Sequence, residues 1–382
     1  MFNEQDIINT TIDLVKIDSR NGRNSEDKIV QYISGILSNL KVDFKIVNHE
    51  GCRKSIIAYY PGINQAKNFL VCGHLDTVNI KDISLSKDGS LDVEFKDNKI
   101  YGLGSSDMKS GLSSIIYALK YLVLNNIKPA YDIFFAFTGD EESDKAGALY
   151  LLKDDLIKNT KLMLVGEPTN LNLGLGSKGQ VWLEVRFKGK SAHGSTPKKG
   201  KNAIIMALNF IQEILSPDFF EKNDIFFPKS TANIGFINAP GPFNVVQDNC
   251  VVGIDIRMSP PETIVSIKEK VNYALSREFK KNEYELKIVD ALESSFIRPE
   301  SKVAMKLKSI INKYVSGKRK ISLSYATDGS VLNTHANIPF VILGPGIPEV
   351  IHSKEEYAPV DNIINCIEIY KDIFLNLDQI IL

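Results

Sequence analysis

Apolar residues in the first part of the chain follow two kinds of spacing that alternate with each other. Helical spacing predicts helices at 4–15, 25–40, 111–124 and 146–153. Short, continuously apolar runs occur between them at 55–60, 68–73, 132–139 and 161–167. Such runs are typical of strands that are buried on both faces. Strands that alternate with helices predict an α/β fold, with a mainly parallel sheet and helices on both faces.

The pattern changes after about residue 178, where polar and apolar residues alternate. The alternating segments are 180–189 and 250–258, and a further strand-like segment lies at 285–290. Alternation is typical of a sheet that has one face in water. Two segments of helical spacing, 202–215 and 262–279, lie among these strands. This part of the chain therefore predicts an α+β module with an antiparallel sheet.

The α/β pattern returns from about residue 300. It comprises a helix near 301–315, a strand at 339–344 and a helix at 361–377. We therefore predict one α/β domain in two parts, residues 1–178 and 294–382, interrupted by an inserted α+β domain at 179–293. A chain of 382 residues is long enough for two such cores.

Charge and cysteine content narrow the classes of protein. Basic and acidic side chains number 46 each, so the formal net charge is zero. Nucleic-acid binders and polybasic membrane-surface proteins need an excess of positive charge, so we expect neither a nucleic acid nor a membrane as a partner. The sequence has no leader-like segment and no run of about 18 apolar residues, so we expect neither signal peptide nor membrane span. Four scattered cysteines without a C-x-x-C pair indicate reduced thiols and predict a cytoplasmic protein.

Metal-ligand side chains follow the predicted strands. In an open parallel sheet, ligands bind beyond the carboxyl ends of the strands, so these positions share one edge. They supply the candidate metal ligands His74, Asp107, Glu142, Glu167 and His352. Mixed imidazole and carboxylate ligands suit zinc, cobalt or manganese. Two such ions that share a bridging carboxylate need roughly five protein ligands, which this set supplies.

Two further acidic residues accompany the candidate ligands. Glu141 is left over beside Glu142, and a free carboxylate next to a metal site is a natural general base. The second ring nitrogen of a metal-binding histidine is usually held by a carboxylate or a carbonyl group, and Asp76 is placed to hold that of His74. Taken singly, Asp107 would be an ordinary helix N-cap. The occurrence of all these residues at successive strand ends favours the metal site.

Six motifs occur in order along the chain. They are GHLDTV (73–78), GLGSSDMKSG (102–111), TGDEES (138–143), GEPT (166–169), SAHGSTP (191–197) and GPG…IHSKEEY (344–357). Together they resemble the acetylornithine deacetylase and succinyl-diaminopimelate desuccinylase family of co-catalytic zinc hydrolases. The resemblance implies a lid domain, here the inserted domain, through which two chains form a homodimer.

The same resemblance implies a role for each candidate ligand. His74 and Glu167 would hold one metal ion, and Glu142 and His352 would hold the other. Asp107 would bridge the two ions, and the peptide bond that follows it would be cis. Glu141 would be the base and the proton shuttle.

Side chains of the inserted domain complete the predicted site. By resemblance, His193 is a lid histidine that stabilises the oxyanion of the tetrahedral intermediate, within one chain or across a dimer. Arg257 is the candidate to clamp the α-carboxylate of a substrate, and a structural ion pair with Asp255 is the alternative. Asn244 resembles a family asparagine near the substrate, although Gln247 stands where the family usually has proline.

Two segments bear on the substrate. The loop GLGSKGQ (174–180), which ends in Lys178-Gly179-Gln180, resembles the deacetylase-like members more than the desuccinylases. Segment 325–332 departs from the desuccinylase pattern while keeping Thr327-Asp328-Gly329. We therefore predict removal of an acetyl or succinyl group from an N-acyl amino acid in arginine or lysine metabolism. A desuccinylase stays open, since Lys178 could pair with a succinyl carboxylate. A dipeptidase or carboxypeptidase that cleaves short peptides is the alternative, and a non-catalytic binding homologue is a remote one.

Overall fold

The computed structural model describes residues 2–21, 26–50, 53–80, 83, 85–86, 88–220 and 226–381. Ser25, where the sequence predicts the second helix to begin, and Cys52 lie outside these ranges. The chain divides into two compact units. The first unit comprises Met1–Gly176, Phe296–Ile321 and Thr327–Leu382, and the second comprises Ser177–Ser295 and Ser322–Ala326. The domain boundaries drawn from the sequence, and the lid role of the inserted domain, stay predictions.

The two units together contain the following helices and strands. The helices are α1 (Glu4–Lys16), α2 (Glu26–Asn39), α3 (Ser110–Leu124), α4 (Ala146–Leu151), α5 (Leu156–Asn159), α6 (Ala203–Ile214), α7 (Ile264–Glu278), α8 (Lys302–Tyr314), α9 (Asp328–Ala336), α10 (Val360–Leu375) and α11 (Leu377–Ile380). The strands are β1 (Asp43–Asn48), β2 (Lys54–Tyr60), β3 (Asn64–His74), β4 (Glu94–Lys96), β5 (Lys99–Tyr101), β6 (Tyr131–Thr138), β7 (Thr160–Val165), β8 (Leu173–Ser177), β9 (Gly179–Lys188), β10 (Thr231–Asn238), β11 (Asn249–Met258), β12 (Tyr284–Leu292), β13 (Ser295–Phe296), β14 (Lys320–Leu323), β15 (Phe340–Ile342) and β16 (Tyr357–Pro359). Each segment predicted from its spacing matches an element of the same type.

A nine-stranded sheet contains the continuously apolar runs. Its order is β1-β2-β6-β3-β7-β15-β8-β13, with β14 paired to β8. Strand β3 pairs in parallel with β6 and β7, and β7 pairs in parallel with β15. Residues 69–74 of β3 are all buried, which explains why this strand is apolar without alternation. The predicted α/β class with a mainly parallel central sheet is confirmed.

Helix α3 fixes the segment that precedes it. Residues 110–119 are buried on every side of the helix, as expected for a helix that is apolar all round. It contacts β3, α1 and α10, and the hydroxyl of Thr11 in α1 donates to the hydroxyl of Ser113 at 2.8 Å. The turn that carries Asp107 directly before α3 is therefore attached to a rigid element.

The second unit is an antiparallel sheet with two helices. The strand order is β10-β11-β9-β12, and α6 and α7 contribute to one core with the apolar side chains of β9 and β11. The burial of β9 alternates from Val181 to Lys188, as the sequence predicts. Strand β10 was not predicted, because Gly235 interrupts it and most of its residues are exposed. It lies at the edge of the sheet.

The described part of the chain bears on two expectations from the sequence, one about membrane-spanning helices and one about thiols. None of the helices described there combines the length and the apolar character of a membrane span. Cys72, Cys250 and Cys366 are buried and free.

Glu26, the first residue of α2, makes the stability of the fold depend on pH. Its side chain is 2% exposed, and the N–H of Lys54 donates to its Oε2 at 3.3 Å. Burial, followed by the charge of Asp76, raises the pKa of Glu26 to about 7 from 4.5. The folded state thus keeps a proton that the unfolded state has lost, so stability falls as pH rises from about 4.5 to about 7.

We therefore expect Glu26→Gln to raise the free energy of unfolding by about 1–3 kcal/mol at pH 8 and to have little effect at pH 4. Urea unfolding at both pH values measures the difference. Glu94, on the exposed strand β4, supplies the control variant Glu94→Gln. An equal effect of Glu26→Gln at both pH values would contradict the assignment.

Candidate metal centre

Three parallel strands deliver imidazole and carboxylate side chains to one edge of the sheet. Strand β3 ends at His74, β6 ends just before Gly139 and the acidic run Asp140–Glu142, and β7 ends just before Gly166 and Glu167. Because these strands are parallel neighbours, their carboxyl ends meet at the same edge. The structure thus brings together the side chains that the sequence places at the strand ends.

Asp107 reaches this edge from a kinked turn, Ser105–Lys109. Gly104 opens the turn with φ +80°, and a Cβ on it would lie 2.5 Å from Cγ2 of Thr77, so only glycine fits. The peptide bond between Asp107 and Met108 is cis, as the resemblance implies. The alternative interpretation, that Asp107 is an ordinary helix N-cap, is wrong, because the residue before α3 is Lys109. The φ and ψ of Asp107, −119° and 93°, are not helical, and α3 begins at Ser110.

The five candidate ligands form two groups that share one carboxylate. Oδ1 of Asp107 is 2.9 Å from Nε2 of His74, and Oδ2 is 3.1 Å from Nε2 of His352. Nε2 of His74 is also 3.7 Å from Oε1 of Glu167. Nε2 of His352 is 3.0 Å from Oε1 of Glu142. Each histidine thus has one carboxylate of its own, and Asp107 faces both.

Asp76 supports both groups through two different atoms. Its backbone carbonyl lies 2.9 Å from Nδ1 of His74, whereas its carboxylate is 3.8 Å away. The Nδ1–H of His74 donates a hydrogen bond to this carbonyl oxygen, which leaves the lone pair of Nε2 free to bind a metal ion. The carboxylate accepts the backbone N–H groups of Glu141 and Glu142, both at 3.0 Å. Of the two groups that could hold Nδ1, the carbonyl does so.

The side chains of the adjacent residues Glu141 and Glu142 both lie near His74, but each has a different second neighbour. A carboxylate oxygen of Glu142 lies within 4.8 Å of ligand atoms of His74 and Asp107. One of Glu141 lies within the same distance of ligand atoms of His74 and Glu167. Glu141 is 8% exposed, so it is a buried carboxylate beside the candidate ligands.

Negative charge dominates this edge. Burial raises the pKa of Glu141 well above its usual value. Burial and the charge of Asp107 do the same to Glu167. Burial alone would lower the pKa of His74, but the charges of Glu167 and Asp107 outweigh it and raise this pKa well above its usual value. The buried anions therefore need positive charge.

The donor set fits two divalent cations. Three ligand carboxylates would be anionic, and the hydrogen bond to Asp76 suits a neutral imidazole at His74. Carboxylate charges are costly to bury unless a positive charge compensates them. Two divalent cations would supply that positive charge. Nitrogen and oxygen donors in two groups with a shared carboxylate match the preferences of zinc, cobalt and manganese.

In the second unit, His193 and Asn244 lie on two joined loops. The N–H of Gly194 donates to the carbonyl of Asn244 at 2.7 Å. Nδ1 of His193 accepts the N–H of Ser195 at 3.2 Å and lies 2.7 Å from its hydroxyl. Since Nδ1 accepts, the ring proton lies on Nε2 in the neutral form. Both His193 and Asn244 are exposed.

Arg257 and Lys178 form a cationic region in the same unit. Nε of Arg257 donates to Oδ2 of Asp255 at 3.1 Å, so the ion pair named as the alternative is present. Lys178 is 3% exposed, and its Nζ donates to the carbonyl of Lys229 at 2.6 Å. Burial and the nearby charge of Arg257 lower the pKa of Lys178.

Three buried charged residues of the first unit were missed by the sequence analysis. Glu356, Lys109 and Asp328 are 1%, 0% and 2% exposed. Glu356 accepts backbone N–H groups of the Asp107 turn, and burial raises the pKa of Asp328 to about 6. The sequence offers only a weak signal for these residues. Glu356 is the second of two adjacent glutamates, and the sequence does not show that Glu355 is exposed whereas Glu356 is buried. Asp328 lies in the retained Thr-Asp-Gly segment.

Related proteins match between three quarters and nearly all of this chain. An uncharacterized metallohydrolase of Methanocaldococcus jannaschii is 27% identical over 405 residues, covering 97% of this chain and 98% of that protein. An acetylornithine deacetylase of Photorhabdus laumondii is 30% identical over 295 residues, covering 75% and 74%. A probable succinyl-diaminopimelate desuccinylase of Staphylococcus epidermidis is 25% identical over 402 residues, covering 98% of each.

Solved structures share the fold. The aminopeptidase PepT from Bacillus cereus has a TM-score of 0.78 at 22% identity, covering 98% of this chain and 99% of that one. The YXEP protein of Bacillus subtilis, described as a dinuclear metal binding peptidase from the M20 family, has a TM-score of 0.71 at 14% identity, covering 98% of each. The model of peptidase family M20/M25/M40 matches residues 70–376, a range that contains every candidate ligand. This chain therefore belongs to peptidase family M20/M25/M40 and is a metal-dependent amide hydrolase.

Proposed function

We propose that this chain hydrolyses the amide bond of an N-acyl amino acid and releases an acetyl or succinyl group. The observation that carries the proposal is the pair of histidine–carboxylate groups that share Asp107, with Glu141 left beside them. The names of two relatives, an acetylornithine deacetylase and a probable succinyl-diaminopimelate desuccinylase, support these acyl groups. Substrates of this kind belong to arginine and lysine metabolism.

Two divalent metal ions complete the proposed site, with zinc as the first choice and cobalt or manganese as alternatives. His74 and Glu167 would hold one ion, Glu142 and His352 would hold the other, and Asp107 would contact both. When bound, the ions supply the Lewis acidity that polarises the amide carbonyl and lowers the pKa of water.

Glu141 moves the proton in the proposed reaction. Its carboxylate takes a proton from water as the water oxygen attacks the amide carbon. The resulting Glu141 carboxylic acid gives that proton to the leaving amine nitrogen as the C–N bond breaks. The second water proton passes to the released amine or to solvent, so the acyl group leaves as a carboxylate. The buried position of Glu141, with its backbone N–H on Asp76, supports this role.

Residues of the second unit bind and orient the substrate. Nε2 of His193 donates a hydrogen bond to the oxyanion that forms at the attacked carbonyl. The guanidinium of Arg257 binds the α-carboxylate while Asp255 holds its Nε. Asn244 contacts the substrate from the loop beside His193, and Lys178 pairs with the carboxylate of a succinyl group.

A homodimer formed through the second unit is part of the proposal. The edge strand β10 exposes Phe236 and Ile237 to 48% and 47%, and α6 exposes Ile205 and Leu208 to 54% and 44%. An exposed apolar edge strand tends to pair with another chain, and a second copy would cover these surfaces. Light scattering tests this, because the chain mass is 42.6 kDa.

A substrate panel tests the proposed function. The zinc- or cobalt-loaded protein is given N-acetylornithine, N-acetyllysine, N-succinyl-diaminopimelate and several dipeptides with free amino groups. We expect turnover of one or more acyl amino acids and none of the dipeptides. Turnover of dipeptides alone would assign the chain to the peptidase branch of the family instead. Omission of metal after treatment with a chelator is the control, and activity should then be lost.

A further inference from the structure

Glu356 accepts hydrogen bonds from the backbone of the turn that carries Asp107. It is 1% exposed and follows His352 on the same loop. Its Oε2 accepts the N–H of Gly104 at 3.0 Å, and its Oε1 accepts those of Ser106 and Asp107, both at 2.9 Å. Three backbone donors on one side chain require an acceptor with two oxygens and no hydrogen, which a carboxylate supplies.

The loop that carries His352 and Glu356 thereby holds Asp107 at two places. The imidazole of His352 faces Oδ2 of the Asp107 side chain at 3.1 Å, and Glu356 holds the Asp107 N–H. That backbone bond fixes the peptide plane before Asp107, and with it the direction in which the side chain leaves the backbone. The hydroxyl of Ser106 donates to the carbonyl of Tyr357 at 2.6 Å, which fixes the same two segments to each other.

A buried lysine lies beside the same turn. Lys109 is 0% exposed, and its Nζ donates to the carbonyl of Ile17 at 2.7 Å. Glu356 is thus a buried carboxyl group whose two oxygens both accept backbone N–H groups. Packing alone would not need an ionisable group here, because a buried charge is costly unless its hydrogen bonds are used.

We infer that Glu356 is a positioning residue: through the Asp107 backbone, it holds the Asp107 carboxylate so that one oxygen faces each histidine group. The inference rests on the proposed metal site and extends it to a residue that touches neither the candidate ions nor the substrate. Residues that orient metal ligands change metal affinity or activity by about 10–100-fold when replaced. The structure therefore predicts a defect in metal binding rather than in substrate binding.

Cobalt binding to Glu356→Gln tests this directly. The substitution keeps the size of the side chain but replaces one acceptor oxygen with an NH₂ group, which cannot accept an N–H of the turn. We expect a folded protein, judged by circular dichroism, whose affinity for Co²⁺ falls about 10–100-fold and whose visible cobalt spectrum changes. The kcat should fall by a similar factor, with KM within about twofold of the wild-type value.

Two further variants keep the test decisive. Glu355→Gln changes the exposed neighbouring glutamate and should leave cobalt affinity, spectrum and kcat unchanged. Glu356→Asp keeps the charge but is too short to reach Gly104 and Asp107 together, so its cobalt affinity should also fall. Wild-type cobalt affinity and spectrum in both Glu356 variants would overturn the inference. The cobalt comparison stands even if the wild-type protein hydrolyses no member of the substrate panel, so the two proposals can fail separately.

Discussion

Glu141→Gln is expected to lower kcat by about 10²–10⁴-fold while both metal ions still bind and KM changes little. The amide of glutamine has nearly the shape of the carboxylate but cannot take a proton from water. It cannot return one to the leaving amine either, so both halves of the reaction are affected. The backbone N–H of residue 141 would still donate to Asp76, which keeps the loop in place.

Metal content distinguishes a base from a ligand at this position. Glu141 lies within 4.8 Å of ligand atoms of His74 and Glu167, so its distance alone is compatible with either role. If Glu141→Gln lost a metal ion together with its activity, Glu141 would be a ligand. Near-full activity with both ions bound would place the base elsewhere. Glu141→Asp, which keeps a carboxylate one methylene shorter, should fall between the wild type and Glu141→Gln.

The sequence predicts the elements of this fold well where burial is continuous or alternates cleanly. Strands β3 and β9 show these two patterns, and both are predicted. The burial of strand β10 alternates only over its first residues, and its register shifts between Ile234 and Phe236, so its pattern is too short to predict a strand. Short pairings such as β5 with β16 join residues far apart in the chain, and no local spacing encodes them.

The candidate site also has a part that the sequence predicts and a part that it does not. Strand ends place His74 and Glu167 by topology alone, so their proximity follows from the predicted parallel sheet. Asp107 was selected for its side chain, but the kinked turn that carries it depends on Gly104 and on the distant Glu356, which the sequence does not connect. The role of the Asp76 carboxylate, which holds two backbone N–H groups, likewise depends on the path of another loop.

Asp107→Asn is expected to weaken the binding of both metal ions, because the two carboxylate oxygens of Asp107 lie 2.9 Å and 3.1 Å from Nε2 of His74 and His352. The amide can offer an oxygen to one ion, but it presents an NH₂ group to the other and removes a negative charge. We expect the affinity for zinc to fall by at least about 10–100-fold at each site, since changes outside the ligand shell already have effects of this size. Hydrolysis should fall by at least the same factor.

Glu142→Gln is the matched comparison, because Glu142 faces His352 at 3.0 Å and belongs to that group in the proposal. Glu142→Gln should lower the affinity for one ion and leave the affinity for the other at the wild-type value. Zinc titration by calorimetry, with metal content after dialysis, separates the two patterns. The His352 side chain is 46% exposed and that of His74 is 1% exposed, so the ion of the His352 group should be lost first from the wild type. Two ions bound to Asp107→Asn with wild-type affinity would show that Asp107 does not bridge them.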